Sequence, residues 1–121
     1  MRDYDIIRVF RFIRWFIRLS VRDLSKCASP GAKFSRSLIE LVEHDMRYPQ
    51  PEFIQEYARI LQEKSKLTHD ITQIAEQCVN DIDFMYVLES QENGDHSIST
   101  IHFLAEFIAG IEDPSLVEMR V

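Results

Sequence analysis

Glycine and proline are scarce in this chain, three and four residues in 121, which excludes collagen-like, linker-like and low-complexity organisation. Cysteine is scarcer still. Cys27 and Cys78 have no close-spaced partner and read as small buried apolar groups of a reducing compartment rather than as a disulfide. His44, His69, His96 and His102 share no spacing with one another or with the cysteines that resembles a zinc site. Neither metal nor cofactor is expected. A glycine-rich phosphate loop and a nucleophile elbow are also missing, and the pair Asp81 and Asp83 suits a solvated helix face better than acid–base work. These absences argue against an enzyme. A long uncharged apolar run is lacking too, because Arg8, Arg11 and Arg14 interrupt Ile6 to Ile17 at every third residue. With neither span nor export signal, the expected location is the cytoplasm.

What is present is 45% hydrophobic and 28% charged residues, a balance that implies a folded, largely helical protein. The net charge of −6 is unevenly laid out. Residues 1–36 hold nine Lys or Arg against three acids, whereas residues 37–121 hold five against seventeen. A basic front can meet phosphates when the fold turns the acidic rear away.

Helical spacing organises most of the chain. Ile6, Val9, Phe10, Phe12, Ile13, Phe16 and Ile17 share a broad apolar face on a first helix. Arg8, Arg11, Arg14 and Arg18 take the other side, with Ile7 and Trp15 among or beside them. Ser20 followed by Asp23 opens a short second helix running to about residue 28, and Ser29-Pro30-Gly31 ends it. Ser35 caps a third helix from Arg36 to His44, with Ile39 and Val42 inward and Arg36, Ser37 and Glu40 outward. Tyr48-Pro49-Gln50-Pro51 turns the chain into a fourth helix carrying Phe53, Ile54, Tyr57, Ala58 and Leu61. Beyond it, one long helix is expected over Ile71, Ile74, Ala75, Cys78, Ile82, Met85 and Tyr86. A last one carries Ile98, Ile101, Leu104, Ala105, Ile108 and Ile111, stopped by Gly110 and Pro114.

The stretch Ile13-Arg14, Leu19-Ser20, Leu24-Ser25, then Phe34-Ser35-Arg36-Ser37-Leu38-Ile39 and Glu43, followed by Arg47-Tyr48-Pro49, resembles the lambda repressor and Cro type of helix-turn-helix, the xenobiotic-response-element family. The resemblance covers about half the chain, from Ile6 to Leu61. It implies a helix-turn-helix head of four to five helices over residues 1–66, which, with the two helices expected from spacing over residues 67–121, makes the expected fold all-α. It also implies a structural ion pair between Arg14 and Glu43, base-facing positions at Arg36, Ser37 and Glu40, and a phosphate contact at Arg47. Arg18 and Asp45 stand where that family usually has glycine. The turn from Ser29 to Lys33 is longer than the family's.

Arg36 near a helix N-terminus has the reach and fork geometry to grip guanine. Ser37 could bond a base or phosphate. Glu40 could accept from a cytosine amine or, at i and i+4, pair with Arg36. Lys33, Arg47 and Arg22 are phosphate candidates that set register. The expected function is a DNA-binding regulator, a repressor by resemblance, acting on duplex DNA as a homodimer over two half-sites. Ile71, Ile74, Cys78, Ile82, Ile101, Leu104 and Ile108 are the expected pairing residues. The alternative is a protein-interaction module on the same fold, an antirepressor or antitoxin, gripping another protein through its C-terminal helices.

Overall fold

The computed structural model describes residues 2–115, and all seven helices among them are α-helices: α1 (Arg2–Phe16), α2 (Val21–Lys26), α3 (Arg36–Glu43), α4 (Pro51–Ser65), α5 (Ile71–Val79), α6 (Ile82–Glu92) and α7 (Ile98–Glu112). The chain divides into two compact units, residues 1–67 and 68–121.

In the first unit, α1 packs against both α3 and α4, and α2 against α3. Two neighbours demand a wide apolar surface from α1. Its buried set is therefore Ile6, Ile7, Val9, Phe10, Phe12 and Ile13. Ile7, expected beside the arginines, is buried, whereas Phe16, expected inside, is 48% exposed at the helix end. Ser20 accepts from the Asp23 backbone N–H at 3.0 Å to open α2, and Ser35 accepts from Leu38 N–H at 3.2 Å to open α3. Each satisfies a backbone donor that helix geometry leaves without an internal partner. Pro51 starts α4, where its missing N–H costs nothing. Three non-glycine residues adopt left-handed backbone at turn points: Arg18 (φ 61°), Asp45 (φ 59°) and Lys66 (φ 60°). Two of them are the positions where the resembled family carries glycine.

A cluster of aromatic rings sits within the core of this unit. Phe34 and Phe53 lie 4.8 Å apart, Phe10 and Tyr57 5.4 Å, and Phe34 and Tyr57 meet edge-on at 5.9 Å. Phe34 comes from the long connection between α2 and α3, and its buried ring pins that connection to α4.

In the second unit, the expected long helix over Ile71 to Tyr86 is two helices. Asn80 closes α5, and the Asp81 carboxylate accepts from the Phe84 N–H at 2.9 Å to open α6. Asp81 is thus a cap and not a solvated helix-face acid. The C-terminal part has three helices rather than two, and α7 continues through Gly110 to Glu112. Gly110 lies in the last turn, where a glycine's entropic cost is small enough for packing to override. Glu112 ties the unit's ends together, accepting from Thr68 N–H at 2.6 Å, Thr68 Oγ1 at 2.5 Å and His69 N–H at 2.8 Å. Those bonds from Thr68 hold its carboxyl below the usual carboxylate range.

Most of the residues expected to pair two copies lie inside this unit. Ile71, Ile74, Cys78, Leu104 and Ile108 are buried within the chain itself. Short helices gain stability only by burying such stripes on one another, so that surface is already spent. Burial also pushes the Cys78 thiol up to about 12, with Asp81 adding to the shift, which leaves it inert. Ile101 is half-buried, and Ile82 alone of the seven faces out.

Candidate nucleic-acid interface

The inner face of α3 consists of Ile39, Val42 and Glu43, all buried. Glu43 is the unusual member. A carboxylate taken out of water requires compensation from charge and hydrogen bonds, and it receives both from α1 and α4. Arg14 Nη2 donates to Glu43 Oε1 at 2.7 Å, and Arg14 Nε donates to Oε2 at 2.9 Å, a two-pronged arrangement. Tyr57 Oη donates to the same Oε2 at 2.5 Å. Arg14 Nη1 also reaches the Leu19 carbonyl at 2.9 Å, and Arg11 Nη1 reaches the Glu43 carbonyl at 2.6 Å. Burial opposes the Arg14 charge, but its bonds to Glu43 and Tyr57 outweigh that cost and hold its pKa above the ordinary value. Burial first, then the Glu43 charge, drive the Tyr57 phenol well above its usual range. Arg14 therefore stays charged and the Tyr57 phenol neutral at neutral pH.

This clamp orients α3 from behind. Arg36, Ser37 and Glu40 are exposed on its outer face, with His44 at its C-terminal end and Leu41 half-buried. Arg36 Nε donates to Glu40 Oε1 at 3.2 Å, side chains 63% and 49% exposed. An exposed pair of this kind is worth well under about 1 kcal/mol. It can open for a better partner at little cost.

Arg22 on α2, Lys33 before α3 and Arg47 after it are all exposed. Among the described residues no carboxylate forms an ion pair with any of the three. Lys33 and Arg47 line one open cleft of about 660 Å³, whose apolar wall includes Leu38, Val42 and Phe53. Arg22 does not line it.

The long connection from Ser29 to Lys33 is latched to α4, a feature that spacing alone did not reveal. Glu56 accepts from the Ser29 backbone N–H at 2.5 Å and from Ser29 Oγ at 3.2 Å, while Arg59 Nε donates to it at 2.8 Å. Arg59 Nη2 reaches the Cys27 carbonyl at 2.8 Å. The Arg59 bond, reinforced by Ser29, holds the Glu56 carboxyl down to about 2. The only sequence signal for this latch was an acid and a cation three residues apart on one helix. At the other flank, Tyr48 donates to Asp3 and packs edge-on against Tyr4 at 5.5 Å. The segment after α3 is thereby secured to the start of α1.

No three His, Cys, Asp or Glu side chains converge as a metal site among the described residues, and no described helix is long and apolar enough to cross a membrane. Comparison with protein-family models, with curated proteins and with solved structures gives no match to this chain.

Proposed function

We propose that the first unit is a DNA reader of the lambda repressor and Cro type, laying the outer face of α3 in the major groove of duplex DNA as a small transcriptional regulator, a repressor by resemblance. The observation that carries this reading is the division of α3 into two faces. One is locked from behind by Arg14, Glu43 and Tyr57. The other offers Arg36, Ser37 and Glu40 to solvent between the exposed cations Arg22, Lys33 and Arg47. A reading helix has to be rigid in its mount and polar on its free side. Its flanking cations supply affinity and register, and the base-facing side chains supply sequence preference.

Docking requires Arg36 to leave Glu40 for a base, and the weakness of that exposed pair permits it. Two copies on half-sites about one helical turn apart would raise specificity. Five of the residues expected to pair them are buried within the second unit. Selection of bound sites from a random duplex pool tests the assignment. Arg36→Ala relaxes preference at one base position per half-site, and Arg47→Ala weakens all sequences alike. Unchanged preference in Arg36→Ala removes α3 as the reader.

A further inference from the structure

The second unit contains a helix that is apolar on two opposite sides. Phe84 and Leu88 of α6 are buried, and Phe84 packs on Phe107 of α7 at 5.0 Å. Roughly half a helical turn away, Ile82 and Tyr86 stand 86% and 73% exposed. Glu89 and Asn93 fall on the same outer stripe, which spans an arc of about 60° at helical spacing. Asp83 flanks it and is exposed, as Glu89 is. A large apolar pair one turn apart on a solvent-facing stripe matches the anchors of a helix-to-helix contact.

Charge selects the occupant. Residues 68–115 hold ten Asp or Glu and no Lys or Arg. A second copy meeting the same patch would set Asp83 and Glu89 against the same acids, with no Lys or Arg among residues 68–115 to interleave. An isologous pair is therefore opposed. A helix with aliphatic anchors on one face and Lys or Arg beside them would fill the stripe and neutralise its rim.

We infer that the outer face of α6, centred on Ile82 and Tyr86 and rimmed by Asp83 and Glu89, is a docking surface for a basic amphipathic helix of another protein. This inference does not rest on the DNA reading, since it uses neither α3 nor its flanking cations.

The test uses the full chain and a labelled synthetic helix with leucines along one face and lysines flanking them. Two controls accompany it: the same peptide with glutamate for lysine, and a permuted sequence of identical composition. Fluorescence anisotropy is expected to show binding by the lysine peptide and by neither control. Ile82→Ser with Tyr86→Ser is expected to weaken it about tenfold or more, as Glu89→Lys weakens it through charge. Because both anchors are exposed, helix content and melting temperature should hold. Failure of the lysine peptide to bind, equal binding by the permuted peptide, or equal binding to the double variant overturns the inference. So does sedimentation showing a self-paired chain that the double variant dissociates. Duplex binding by the double variant, measured alongside, separates this outcome from that of the DNA reading.

Discussion

Arg14, Glu43 and Tyr57 are the residues on which the mounting of α3 depends. Glu43→Ala would leave the Arg14 guanidinium partly buried without its charge partner, a change of the kind that costs about 3–5 kcal/mol. Tyr57→Phe removes one donor while keeping the ring in the core and is expected to cost about 1 kcal/mol. Urea unfolding should rank the two in that order. Near-equal losses would mean that the aromatic packing, and not the clamp, holds α3. A second residue-level prediction concerns left-handed backbone. Arg18 adopts φ 61° with a long side chain, a conformation that costs a residue with a Cβ roughly 1 kcal/mol or more. Arg18→Gly should raise the melting temperature, and Asp45→Gly should raise it less, because aspartate tolerates this region better. Both positions are ones where the resembled family usually has glycine, and both have left-handed backbone here.

Among elements, the connection between α2 and α3 is held by a carboxylate whose pKa is depressed to about 2. Its stabilising contribution is therefore fully present above the usual carboxylate range and is lost as pH falls toward about 2. Glu56→Gln should destabilise the chain near neutrality and flatten the part of its acid-unfolding profile that Glu56 supplies. An unchanged profile would show that Phe34 alone anchors the connection.

The elements themselves were unevenly legible. Ser20 and Ser35 announced α2 and α3 because capping chemistry is local, whereas Pro51, read as part of the turn, is the first residue of α4. The break between α5 and α6 was hidden, since the apolar spacing of Ile71, Ile74, Cys78, Ile82 and Met85 runs on across it. Asn80-Asp81, with Phe84 three residues after the cap, was the overlooked sign. The arc of α1 was misjudged at Ile7 and Phe16 because its width depends on how many helices it meets, which periodicity along one helix does not encode. The Glu56 latch was illegible because it joins residues 27 apart.

For the whole molecule, the charge division is the feature with functional consequence. Residues 68–115 carry no Lys or Arg, which favours the first unit for phosphate binding, where Arg22, Lys33 and Arg47 are exposed candidates on α2 and beside α3. Neutralising them should weaken duplex affinity without altering the fold, because such surface substitutions each change stability by less than about 0.5 kcal/mol. Circular dichroism on the triple variant checks the second half of that statement.

The most direct measurement is the affinity of the chain for duplex DNA of mixed sequence at low and at physiological salt. A groove-docked α3 held by phosphate contacts predicts binding that weakens steeply with salt, log affinity falling by about 0.9 per log unit of salt for each phosphate engaged. The Arg22, Lys33 and Arg47 variant should show a shallower slope. Absence of binding at low salt, or binding indifferent to salt and to those three residues, would contradict the account.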